Sequence, residues 1–213
     1  MFFTLTNAFT TYIPPLAVAY CEALWKHYNF LFRVVKPRQT RLGDFRVLPS
    51  HQTQITVNAN LNPYAFLITY VHEVAHAEVY QQYRQQQRTR RVKPHGRAWQ
   101  SAFRQLMQPL LNEQVFPSII LQPLQHYMVN PAATTYANPA LMMALRQFDT
   151  ILEKNTIDKR VLLENVLEGN TFRLARKMYV RGTLRRTRVV CKEIPSGKSY
   201  AILAHAWVEV NEA

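Results

Sequence analysis

Cysteine is almost absent from this chain: Cys21 and Cys191 are the whole supply in 213 residues. Two isolated thiols cannot build a disulfide framework or a four-cysteine zinc site, and they are expected to be buried and inert. Long apolar runs are missing as well. None approaches the roughly 20 residues of a membrane span, and the opening Met-Phe-Phe-Thr-Leu-Thr carries no positive leader. The expectation is a soluble, cytoplasmic protein without a membrane partner. Acidic residues are scarce, with 13 Asp+Glu against 26 Lys+Arg and a net charge of +13. Polyanions are therefore the expected partners, and association with the nucleoid would suit that charge, although charge alone is also compatible with non-specific contact. What the chain does have is apolar content: 48% of it is hydrophobic, enough to exclude disorder and to fill the core of one domain with a small appendage.

Local patterns divide the chain into a mixed α+β part and a β-rich end. After Pro14 and Pro15, residues Leu16, Tyr20, Ala23, Leu24 and His27 recur at helical spacing and predict an amphipathic helix over 16–28. Three short strands should follow: 30–35 is rich in β-branched and aromatic residues, 41–48 alternates around Gly43-Asp44, and 54–58 alternates polar and apolar. Asn62-Pro63 supplies an N-cap and a first-turn proline, and no further breaker occurs until Pro94, so a long helix is expected there. A second helix should start near His95-Gly96 and stop at Pro109. One or two packing helices lie between Pro117 and about Asp158, divided by Asn130-Pro131 and Asn138-Pro139. From about Gly169 the pattern alternates, with a turn at Pro195-Ser196-Gly197, and predicts an antiparallel β appendage. The expected boundaries are a mixed α+β domain over 1–115, a helical connection over 116–165 and the appendage over 166–213.

The chemistry is concentrated in His72-Glu73-Val74-Ala75-His76. On a helix, histidines four apart share one face, so both imidazoles can reach one ion, and Glu73 lies beside that ion instead of on it. Five letters alone are weak, since roughly one chain in a hundred of this composition would carry them by chance; the context must decide. The motif is framed by the Asn62 cap and by an apolar face of Tyr64, Phe66, Leu67 and Tyr70. A catalytic zinc needs a third protein ligand and an open position. No Asp or Glu occurs between Glu78 and Glu113, which removes a thermolysin-type glutamate. Val79 and Gln82 stand where the metzincin pattern needs Gly and His. His95 is left as the third ligand, with one Zn2+ held by His72, His76 and His95. The other histidines, His27, His51, His126 and His205, have no comparable spacing. Trp99 and Phe103 read as core residues that fix His95.

With HEVAH on one helix and Pro94-His95-Gly96-Arg97-Ala98-Trp99 opening the next, the chain resembles the SprT-like zinc metalloproteases, the Spartan-related family. The resemblance covers roughly 16–107, including the entry Asn58-Ala59-Asn60-Leu61-Asn62-Pro63. It implies a minimal zincin-type fold, His72, His76 and His95 as zinc ligands and Glu73 as catalytic base. Many members carry a four-cysteine zinc ribbon after the protease domain. Here the matching segment, about 169–210, keeps only Cys191, so it resembles a ribbon without its metal, packed instead around Phe172, Tyr179, Tyr200 and Trp207.

These readings converge on a zinc-dependent endopeptidase acting on proteins bound or crosslinked to DNA. Two basic clusters are the expected nucleic-acid contacts: Arg84, Arg88, Arg90, Arg91, Lys93 and Arg97 between the ligand helices, and Arg173, Arg176, Lys177, Arg181, Arg185, Arg186 and Arg188 in the appendage, with Phe172 and Tyr179 interleaved. Solvated loops and a charged strand face would give the same composition. The alternative is a nucleic-acid-binding protein whose zinc is structural or regulatory. An aminopeptidase ranks last, because no anchor for a substrate amine is evident.

Overall fold

Asn62 and Pro63 start the central helix as their chemistry requires. The Asn62 side-chain oxygen accepts from the backbone N–H of Ala65 at 3.0 Å. The computed structural model describes residues 5–38, 41–85, 93–135, 138–149, 160–204 and 206–210. They divide into two compact units, one over 1–149 and one over 150–213. Among the described residues, no helix is long and apolar enough to cross a membrane.

The first unit contains helices α1 (Leu5–Tyr12) and α2 (Val18–Tyr28), strands β1 (Leu31–Val35), β2 (Gly43–Val47) and β3 (Thr53–Asn58), then α3 (Pro63–Gln85), α4 (Arg97–Met107), α5 (Ser118–Val129) and α6 (Pro139–Arg146). The strands form one sheet in the order β1-β3-β2, with β1 parallel and β2 antiparallel to β3. Ile55 and Val57 point from the central strand into the core, fully buried, and α3 packs across β2 and β3. The expected three-stranded sheet and the helices after it are present.

Helix α1 was not anticipated. It brings Phe9 into an aromatic cluster, stacked on Phe32 at 5.1 Å between ring centroids and edge-on to Tyr70 at 5.4 Å. Helix α2 begins later than its pattern suggests, after a 3₁₀ turn over Pro15–Ala17. Its buried stripe is Ala17, Cys21 and Leu24, while Leu16 is 67% exposed and Ala23 and His27 face outward. The stripe is fixed by α3, whose Tyr70 hydroxyl donates to the Cys21 carbonyl at 2.8 Å.

The expected domain boundaries at 115 and 165 do not hold. Leu121 and Leu124 of α5 and Leu141 and Leu145 of α6 belong to the first unit's core, and the Asn62 amide ties α6 to the start of α3 through the Leu145 carbonyl at 2.8 Å. These helices are therefore part of the first unit and not a connection.

The second unit is a six-stranded antiparallel sheet. Its strands are β4 (Arg160–Leu162), β5 (Thr171–Leu174), β6 (Lys177–Arg185), β7 (Arg188–Glu193), β8 (Ser199–Leu203) and β9 (Trp207–Val210), in the order β4-β9-β5-β6-β7-β8. A small core of Leu163, Val166, Phe172, Tyr179, Val189, Cys191, Ala204 and Val208 holds it together. Phe172 and Tyr179 are buried as expected, their rings stacked at 5.5 Å. Tyr200 is not in that core: it is 38% exposed on edge strand β8, its hydroxyl reaching the Glu193 carboxylate at 3.3 Å. The Trp207 side chain lies outside the described residues. Both thiols are buried, and burial raises the pKa of each.

Candidate metal centre

The long helix places His72 and His76 one turn apart on the same face, and α4 packs against that face. His95 is not within the second helix as its pattern suggests. It sits in the turn that precedes Arg97, with the Gly96 N–H donating to the Lys93 carbonyl at 3.1 Å. From that turn its ring reaches both helical histidines. His95 Nε2 lies 3.1 Å from His72 Nε2 and 3.1 Å from His76 Nε2, and the three ligand atoms are all within 4.8 Å of one another.

Three ring nitrogens converging in this way could share one cation. A proton on His95 Nε2 can serve only one of its two neighbours. A tetrahedral zinc with Zn–N bonds of about 2.0–2.1 Å separates its ligand nitrogens by about 3.3 Å, close to the spacing found here. The protonation states agree with that role. Burial pushes His72 well below its ordinary value, with the neighbouring His76 and His95 adding to the effect. Burial, then His95, takes His76 down to about 4, and burial lowers His95 as well. All three are neutral at pH 7, the form that binds metal. Among the described residues this is the single group of three or more His, Cys, Asp or Glu side chains able to hold an ion. His27, His51 and His126 are exposed elsewhere, and His205 lies outside the described residues.

The imidazoles are held by an aromatic wall. The Trp99 ring, fully buried, lies 4.6 Å from His72, 5.7 Å from His76 and 4.8 Å from His95, and stacks on Phe103 at 5.0 Å. Its indole N–H donates to the His72 carbonyl at 3.2 Å, which locks α4 to the motif turn of α3. Phe45 of β2 also stacks with His76 at 6.2 Å. These rigid rings restrict the rotamers of the three histidines.

Glu73 is not part of the convergent group. It is 7% exposed, and its carboxylate accepts from the backbone N–H of Phe45. Burial, then the charge of Asp44, raises its pKa to about 8, against the opposing pull of Arg38, the Phe45 N–H and Arg41. Burial also pushes Asp44 upward, but hydrogen bonds from Arg46 and Arg41 hold it below its ordinary value overall. Gly43, Phe45 and Asp44 were not singled out as site residues. The only hint in the sequence is the Gly43-Asp44 interruption of an alternating strand.

These shifts set how the metal-free protein responds to pH. Below 6.5 the unfolded chain binds protons that the folded histidines refuse, so their contribution to stability is lost as pH falls from 6.5 toward about 4. Folded Glu73 keeps its proton up to about 8 where the unfolded carboxyl releases it near 4.5, so its contribution is lost as pH rises between those values. Three histidines outweigh one glutamate in the overlap. The melting temperature of chelated protein should therefore peak near pH 6.5, and Glu73→Gln should flatten the alkaline side. A maximum above pH 8 would contradict both shifts.

The basic clusters are dispersed. Arg84 is exposed over the Tyr80 ring at 5.8 Å, and Lys93 and Arg97 are exposed, while Arg88, Arg90 and Arg91 lie outside the described residues. In the second unit Arg173 pairs with Glu209 at 2.6 Å, Lys177 with Glu193 at 2.6 Å and Arg181 with Glu168 at 3.3 Å. Arg176 sits at the β5–β6 turn; Arg185, Arg186 and Arg188 form the tip of the β6–β7 hairpin. Nine residues of β6 separate the two turns by about 27 Å. Phe172 and Tyr179 are core residues and offer no stacking surface for bases. Compared with known proteins, the chain matches no family model, no curated protein and no solved structure.

Proposed function

We propose that this chain is a zinc-dependent endopeptidase of the SprT-like type, its single Zn2+ held by His72, His76 and His95. One observation carries the reading: three imidazoles converge within 4.8 Å while an adjacent buried carboxylate, Glu73, stays outside the group. Three protein ligands leave a fourth position open, whereas structural zinc sites close it with a fourth side chain. Zinc in such a site supplies a Lewis acid that polarises a carbonyl and acidifies water. Glu73 takes the proton of the attacking water and delivers it to the nitrogen of the breaking C–N bond. A cation beside it favours its carboxylate form, the form a base needs. Strand β2 ends the sheet with no strand on its outer side among the described residues, and an extended peptide laid along the backbone groups that Glu73 leaves free would pass the site. That path suits cleavage within a chain better than removal of one terminal residue. Digestion of a denatured protein by zinc-loaded enzyme, with Glu73→Gln as control, tests the reading.

Protein substrates carried on DNA are the second element of the proposal, supported by the net charge of +13 and by the hairpin tip. Among the described residues, Arg185 and Arg186 are exposed and form no ion pair. Replacing both by Gln should reduce the slope of log affinity against log salt by roughly two for duplex DNA, about 0.9 for each phosphate that is no longer neutralised. An unchanged slope would remove the hairpin from the interface. Zinc and DNA binding without cleavage would favour the non-catalytic alternative.

A further inference from the structure

Strand β2 runs alongside the motif helix with matched spacing. Two strand residues advance about 6.8 Å and four helical residues about 6 Å, so alternate positions of β2 meet successive turns of α3. Phe45 meets His76 and Tyr80, with centroid distances of 6.2 and 5.9 Å. Gly43, two residues before it, meets Thr69 and Glu73. A Cβ at position 43 would lie 2.6 Å from Glu73 Oε1, 2.8 Å from Glu73 Cγ and 2.8 Å from Thr69 Cγ2.

The pairing of β2 with β3 explains the other half of this seat. Asn58 N–H donates to the Leu42 carbonyl and Leu48 N–H to the Gln52 carbonyl, so even-numbered residues of β2 turn their backbone groups toward β3. The Phe45 N–H therefore points away from the sheet, where it meets the Glu73 carboxylate. Nothing in the motif itself demands either feature.

We propose that Gly43 is a positioning residue for Glu73: the missing side chain at 43 makes the space in which the carboxylate lies against β2, held there by the Phe45 N–H. The proposal rests on the reading of Glu73 as the base. A methyl group at 43 would expel the Glu73 side chain from its seat while leaving the three imidazoles, which rest on Trp99 and Phe45, where they are. Glu73 cannot yield alone, because Thr69 Cγ2 blocks the same space and the Thr69 rotamer is pinned by its hydroxyl donating to the Ala65 carbonyl at 2.8 Å.

The test uses Gly43→Ala and, to guard against a fold defect caused by Thr69, Gly43→Ala/Thr69→Ser, which removes the second clashing methyl. Both should bind one zinc as tightly as the parent in chelator competition and lose at least about 10-fold in kcat with KM nearly unchanged. The metal-free proteins give a reading independent of turnover: in a Thr69→Ser background, which lacks the second clashing methyl, Gly43→Ala should lower the melting temperature, but much less when Glu73→Ala is also present, where the added methyl fills vacated space. Parental kcat, loss of zinc, or an equal drop in melting temperature in both backgrounds would overturn the proposal. A parent that binds zinc but cleaves no peptide bond defeats the endopeptidase reading instead, and the melting cycle still decides whether position 43 seats Glu73.

Discussion

Glu73→Gln is expected to bind one zinc and to cleave protein roughly 10²–10⁴ times more slowly than the parent, the usual contribution of a positioned general base. The amide keeps the shape of the side chain and can keep the Phe45 N–H as a donor to its oxygen, so the seat against β2 survives. It cannot accept a proton at neutral pH. Because Glu73 lies outside the convergent group of histidines, its replacement removes no ligand. A measured rate within a few-fold of the parent would show that another group moves the proton. Loss of zinc in this variant would mean that the carboxylate supports the metal site and not the chemistry.

His95→Ala should have the opposite signature, with metal binding lost first. The two remaining histidines share one helical turn and leave half the coordination shell to solvent, so zinc affinity should fall by more than the roughly 10–100-fold typical of removing a group that merely orients a ligand. The fold should persist, because Trp99 and Phe103 stay buried and α4 remains bonded to His72 through the indole N–H. Chelator competition and thermal unfolding of the metal-free protein separate the two effects. Parental zinc affinity in this variant would dismantle the three-histidine site.

Much of the first unit was legible because its signals are local. Asn62 caps and Pro63 opens a helix in any context, and Ile55 and Val57 alternate wherever a strand has one buried face. The three histidines could be named from spacing and elimination. Helix α1 could not be read, because its segment Leu-Thr-Asn-Ala-Phe-Thr-Thr-Tyr has weak helix formers. It is held by what Phe9 touches, Phe32 and Tyr70, neither of which is near it in the chain. The same limit hid the roles of Gly43 and Phe45, which depend on how β2 lies across α3. Charge was misleading for a different reason: Arg173, Lys177 and Arg181 look free in the sequence but find acids on other strands or across a turn. Tyr200 looked like core because it is aromatic, yet on an edge strand with Glu193 in reach its hydroxyl stays near water.

A cation gripping residues 72, 76 and 95 ties two distant points of the chain together, and a tie of that kind ordinarily spends part of its grip on gathering slack. Here Trp99 has already drawn the two ends to their final separation, bonded to the carbonyl of His72 itself. An ion would therefore arrive at a finished socket, its hold would measure coordination alone, and stripping it away should leave the socket standing for the next one.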